Sequence, residues 1–278
     1  MNLWHAIVYG LIQGTGEFLP ISSSGHLAIL PSLLKIEDPG VMFDLSMHVG
    51  TSLAAIIYFR HDLFGLFREL WEMMTRKKEN TGYSGYYHSL LINLFIGSFF
   101  TFIFVIILQK FYPESERRSI LMIGINQIVF GLIMWGSDWW AKKNEQTQTL
   151  KTSEISPLIA LFTGITQSFA IFPGVARSGI TLSVLRFGNV GRLEASRFSF
   201  LLSLPIILGG AALEIPHYLQ GNNHPESIFL ILIGAGLSFV FGLLSIHYFL
   251  KLIEKVGFFP FMIYRLLVGI GILLFIWR

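Results

Sequence analysis

The sequence predicts an all-α integral membrane protein built as two inverted repeats, each a re-entrant helical hairpin followed by three transmembrane helices. Three observations predict it. The 278-residue chain is 53% hydrophobic and only 13% charged, whereas a soluble domain carries roughly 25% charged residues. Two apolar stretches, each interrupted by glycine, proline and polar residues, match one another at a constant offset of 154. The lysines and arginines are distributed unevenly between alternate loops, as orientation in a bilayer requires.

The chain begins MNLWHAIVYG, with no basic residue ahead of the apolar stretch and no small-x-small pattern, so no removable signal peptide is expected. Residues 3–34 form the first broken stretch. Each half is too short for the roughly 20 residues of a full span, and irregular backbone at membrane depth survives only against protein or a wet cavity. A hairpin that enters and returns to the same side is therefore expected. Six segments qualify as spans, near 41–59, 89–108, 119–141, 196–215, 227–250 and 259–277. The second broken stretch is 157–187. Between the first and second spans, RHDLFGLFRELWEMMTRKK (60–78) places Leu63, Phe64, Phe67, Leu70, Trp71 and Met74 at helical spacing, the pattern of a helix lying on the membrane surface. Trp139, Trp140 and Trp277 read as interface anchors.

The repeats show when AIVYGLIQGTGEFLPISSSGHL (6–27) is laid on ALFTGITQSFAIFPGVARSGIT (160–181). Gly10 meets Gly164, Gln13 meets Gln167, Phe18 meets Phe172, and Ser24-Gly25 meets Ser178-Gly179. Three spans follow each hairpin, so the second copy is inverted. The expected boundaries are about 1–141 for the first repeat and 157–278 for the second, with a cytoplasmic linker at 142–156. With the N-terminus outside, the inner segments hold thirteen of the twenty basic residues. The outer segments hold Lys35, Lys110, Arg117, Arg118 and Arg278, while Arg177 and Arg265 fall inside the membrane. The Glu17 hairpin then enters from outside and the Arg177 hairpin from the cytoplasm. The net charge of +3 serves orientation, and no nucleic-acid partner is expected. With no cysteine, thiolate nucleophiles and thiolate metal sites are excluded.

The two breaks carry the chemistry. A carboxylate at the bilayer centre costs about 2.5–3.5 kcal/mol even on the mildest scale, so Glu17 must face a cavity, a cation or a partner. Pro20 is expected to end one half-helix, and Ser22-Ser23-Ser24-Gly25 opens the next with serine in a capping role. Free N–H groups at that start, hydroxyl donors and His26 in the first turn suit a phosphate. Pro173-Gly174 repeats the break, and Arg177-Ser178-Gly179 begins the following half with a guanidinium suited to phosphate oxygens. If the tips meet, an acid, hydroxyls, an imidazole and a guanidinium surround one anion, the set that phosphoryl transfer needs. The bland readings are structural: Arg177 as a counter-ion to Glu17, His48 as an internal pair with Asp44 four residues earlier, Arg265 as a buried partner or interface residue, and Gly10-x-x-x-Gly14 as a close helix contact.

QGTGEFLPISSSGHL (13–27), FPGVARSG (172–179) and RLEASRFSFLLSLP (192–205) resemble the bacitracin-resistance family of undecaprenyl-diphosphate phosphatases, and FDLSMHVGTSLAAIIYF (43–59) is similar to its first full span. The resemblance runs nearly the whole chain in order. It implies hydrolysis of a C55 polyprenyl diphosphate to the monophosphate at the outer face of the bacterial inner membrane, recycling the carrier for cell-wall synthesis and conferring bacitracin resistance. It also implies a divalent cation, Mg2+ or Ca2+. By position, Glu17 matches an essential glutamate that handles metal or water, and Ser23 matches a proposed nucleophile. Ser23 and Ser24 match phosphate-binding hydroxyls, His26 the catalytic histidine (acid/base or nucleophile), and Arg177 the diphosphate-binding arginine. Ser22, Ser178 and Gln13 complete the expected substrate-binding set. Gln13 stands where many members carry a second glutamate, Gly16 where threonine is usual, and Ala176 where serine is usual. The expected partners are the polyprenyl diphosphate and membrane lipids, with a homodimer as the candidate assembly. A transporter or flippase of polyprenyl phosphate lipids is the alternative, since inverted repeats with midplane charges also build carriers.

Overall fold

The computed structural model describes residues 2–36, 38–75, 84–112, 119–144, 150–220 and 228–277. The basic residues Arg76–Lys78, Arg117, Arg118 and Arg278, and residues 145–149 of the linker, lie outside them. The described chain is helical, with one isolated bridge between Leu150 and Val190. Its helices are α1 (Leu3–Gly16), α2 (Ser23–Leu34), α3 (Val41–Tyr58), α4 (Arg60–Thr75), α5 (Ser84–Phe111), α6 (Ile120–Lys143), α7 (Pro157–Gln167), α8 (Arg177–Phe187), α9 (Arg192–Gln220), α10 (Ile228–Val256) and α11 (Phe259–Ile276).

Among the described residues five helices, α5, α6, α9, α10 and α11, contain a stretch long and apolar enough to cross a membrane. The expected span at 41–59 differs, because Met42–Tyr58 turns by 78° into Arg60–Thr75 and reaches that length only as a bent pair. The broken stretches form two helix pairs, α1–α2 and α7–α8. Helix α1 stops at Gly16, four residues before Pro20, because proline offers no N–H to the carbonyl of residue 16 and its ring would collide with it. After α7, a 3-10 turn over Ser168–Ile171 precedes Pro173.

Small residues let the short helices press on the long ones. A side chain at Gly10 would put its Cβ 2.7 Å from the Gly234 carbonyl oxygen, and one at Gly14 would stand 2.8 Å from Ser238 O. Ser238 Oγ donates to Gly10 O at 3.2 Å. The other pair is built the same way, with Gly164 against the Gly97 backbone and Thr101 Oγ1 donating to Gly164 O at 2.9 Å. Ser22 and Ala176, 154 residues apart, both precede a helix and both have positive φ, 69° and 67°.

Below the hairpins lies an aromatic core. Phe200 is fully buried and touches Phe18, Phe59 and Phe249, with ring centroids 5.2, 6.3 and 5.7 Å away. Helix α4 exposes Phe64, Phe67, Trp71 and Met74 and buries Asp62, Leu66 and Glu69. Asp62 pairs with Arg197 at 3.1 Å and Glu69 with His88 at 3.0 Å. An apolar face turned outward and acids turned inward suit a helix seated on lipid.

Candidate active site

Ser22 locks the two hairpin tips together. It is the N-cap of α2, and its Oγ accepts from the N–H of Gly25 at 3.3 Å. The same oxygen accepts from the N–H of Gly174, in the other break, at 3.0 Å. Ser178 Oγ donates back to Leu19 O at 3.2 Å. Arg265, fully buried on α11, donates to the carbonyls of Gly174 (2.7 Å), Val175 (3.0 Å) and Pro20 (3.3 Å), and to Asn126 and Gln127 of α6. It is a buried partner, and three of its partners, on Pro20, Gly174 and Val175, are carbonyl oxygens in the breaks, where no helix supplies an N–H donor.

The locked tips bring one carboxylate to the centre. Glu17 is 7% exposed. Its Oε1 accepts from Arg177 Nη2 at 2.8 Å. Its Oε2 accepts from Gln13 Nε2 at 2.7 Å and from Ser23 Oγ at 3.1 Å, and lies 3.3 Å from His48 Nδ1. A hydroxyl that donates to a carboxylate has its proton acceptor in place. Arg177 spends one arm on Glu17, while its buried Nη1 has no partner among the described residues. A buried donor without a partner costs about 1–3 kcal/mol, and an anion in the adjoining space would satisfy it.

That space is a cavity of about 410 Å³. Glu17, Ser22, Ser23, Ser24, His48, Gln167, Arg177 and Ser178 line one part. Phe102, Val105 and Ile106 of α5, Ala170 and Ile171, and Ile206 and Ile207 of α9 line most of the rest, with Thr101 and Gln109 of α5 among them. One chamber therefore offers a polar, charged seat continuous with apolar helix walls.

A family model described as bacitracin resistance protein BacA matches residues 6–271. The chain belongs to that family. Among curated proteins, the undecaprenyl-diphosphatase of Saccharophagus degradans is 38% identical over all of this chain and 99% of its own length. That of Marinobacter nauticus is 37% identical over 97% of both chains, and that of Alteromonas mediterranea 36% over 99% of both.

The BacA-family motifs converge as follows. Glu17, Ser22, Ser23, Ser24, Arg177 and Ser178 all line the cavity. Gln13 is fully buried and holds Glu17 from outside it. His26 stands apart from the cavity lining. Its Nδ1 is 2.8 Å from Ser22 O and its Nε2 is 2.8 Å from Tyr264 OH, with the two rings stacked. A carbonyl only accepts, so Nδ1 carries a proton, and in the neutral ring Nε2 accepts from the Tyr264 hydroxyl.

His48 is the residue that sequence reading set aside. Its Nδ1 lies 2.8 Å from Gln13 Nε2 and 3.3 Å from Glu17 Oε2, where spacing suggested Asp44. The only hint in the sequence was an imidazole on an apolar span, which does not say toward which helix it turns. At Gly16 an added Cβ would stand 3.1 Å from Ser23 Cβ, so the threonine usual in the BacA family would crowd this Ser23 in its present placement.

Proposed function

We propose that the protein hydrolyses a polyprenyl diphosphate, undecaprenyl diphosphate above all, to the monophosphate and inorganic phosphate. The observation that carries this reading is the single cavity whose charged seat of Glu17, Ser23 and Arg177 runs into apolar helix walls. A lipid diphosphate has that same division. The names of the relatives support a hydrolase over the carrier alternative.

In this reading Arg177 binds the phosphate through its unpaired arm, and the hydroxyls of Ser24 and Ser178 add donors. Ser23 or a water beside it attacks the terminal phosphorus, and Glu17 Oε2 takes the proton. The bridging P–O bond breaks, and the prenyl monophosphate leaves. If Ser23 attacks, water then cleaves the phosphoserine and releases phosphate. His26 stands one turn into α2, off the cavity lining, with its Nε2 held by Tyr264.

A divalent cation, Mg2+ or Ca2+, fits only in part. Among the described residues no three His, Asp or Glu side chains are grouped to hold a metal, and Glu17 already receives several donors. Glu17 would be the one carboxylate ligand, and the remaining oxygens would come from the substrate's phosphates and water. The ion would neutralise charge on the diphosphate. The outward, periplasmic opening in the inner membrane rests on the loop charges, and on α5 lining the cavity with its last third, toward the Phe111 end. The paired glycine contacts and the matching φ at Ser22 and Ala176 support two repeats, inverted by their odd span count.

Purified protein should release phosphate from farnesyl or undecaprenyl diphosphate and lose that activity with a chelator. Ser23→Ala and Glu17→Gln should each lower kcat by roughly 10²–10⁴-fold. Full activity in both variants, or lipid movement between leaflets without phosphate release, would overturn the reading.

A further inference from the structure

His48 reaches the charged seat from α3, and its surroundings fix which nitrogen carries the proton. Glu17 holds Arg177 at 2.8 Å, so its ionised carboxylate only accepts hydrogen bonds. The Gln13 atom 2.7 Å from Glu17 Oε2 must then be the amide nitrogen. That nitrogen has a second hydrogen, and His48 Nδ1 lies 2.8 Å from it. Of the two contacts of Nδ1 the one to Gln13 is the shorter, with Glu17 Oε2 at 3.3 Å, so Nδ1 accepts from the amide and the neutral ring carries its proton on Nε2. No residue among those described holds Nε2, while the His48 side chain is 29% exposed and lines the cavity beside Ser23 and Arg177.

We propose that His48 is a substrate-contacting residue that donates its Nε2–H to a phosphate oxygen, and that Gln13 is the positioning residue that sets its tautomer. The proposal rests on the diphosphate reading of the cavity. A fully buried glutamine with one hydrogen on the carboxylate and one on the imidazole does what a glutamate there would not. A carboxylate would take the Nδ1 proton and leave a lone pair facing the anion.

The test uses full-length protein in detergent, with phosphate release from farnesyl diphosphate and Mg2+ measured beside calorimetric binding of inorganic diphosphate. A donor to a charged group is worth about 10–100-fold. His48→Ala should lose that much in kcat/KM and weaken diphosphate binding in step. His48→Gln, which presents an amide N–H of similar reach, should recover to within about fivefold of wild type. Gln13→Leu should fall between them. Wild-type behaviour of His48→Ala, or equal loss in the Ala and Gln variants, overturns the donor role. If His48→Ala does not fold, the His48→Gln recovery alone decides, and failure to recover overturns the proposal. A wild-type protein that binds diphosphate without releasing phosphate would sink the hydrolase reading, and His48 would then be judged on affinity alone.

Discussion

Two histidines, His26 and His48, hold different posts. His48 meets Glu17 directly, at 3.3 Å, whereas His26 is clamped between Ser22 O and Tyr264 OH at 2.8 Å each. Tyr264 is half-exposed and sits one residue before the buried Arg265, so one turn of α11 serves both the ring and the hairpin carbonyls. Removing the phenol hydroxyl leaves His26 Nε2 to water. Tyr264→Phe should lower kcat by about 2–10-fold, the worth of one hydrogen bond, with KM and the melting temperature near wild type. A steady-state titration of phosphate release checks it. The candidate residues Glu17, Ser23 and Arg177 were legible in the sequence because charges and hydroxyls are costly in an apolar stretch. His48 was not, since an imidazole on a span is readable only once its neighbour is known.

At the scale of elements, the half-helices depend on small residues and on borrowed hydrogen bonds. α1 lies against α10 through Gly10 and Gly14, with Ser238 and Ser245 donating to Gly10 O and Thr15 O. Without a hydrophobic drive between helices in lipid, such close packing is what holds them. Gly10→Val would force the backbones apart and displace Gln13 one turn on. It should destabilise the fold by about 1–3 kcal/mol, read as a lower melting temperature in detergent, together with reduced phosphate release. Gly236→Val, on the same helix α10 but with open space where its Cβ would stand, is the control and should melt near wild type. Proline placement explains where the helices stop, and the sequence shows it to within one turn: α1 ends at Gly16 because Pro20 cannot serve that carbonyl. The 78° turn after Tyr58 is what a span over 41–59 followed by a surface helix over 60–78 requires, but what holds it was not legible. The residues there are ordinary helix formers, and the bend places Asp62 on Arg197 and Glu69 on His88, partners far along the chain.

Across the whole molecule, charge in the loops and chemistry in the breaks answer to different forces. The absence of cysteine permits a direct test of orientation. Single cysteines placed at Tyr112, on the outer side in the proposed orientation, and at Thr75, at the end of α4, should react oppositely with a membrane-impermeant maleimide in intact cells, Tyr112→Cys labelled and Thr75→Cys protected. The reverse result would invert the topology. The sequence by itself determined the class, the long helices, both interruptions and the polar residues that the interruptions carry, because burying apolar surface in lipid and breaking a helix are local matters of composition and proline. Only the tertiary structure decided that Ser22 bridges to Gly174, that Arg265 serves both breaks, and that the carboxylate's imidazole is His48. Those choices depend on contacts between helices far apart in the chain, which no local pattern encodes.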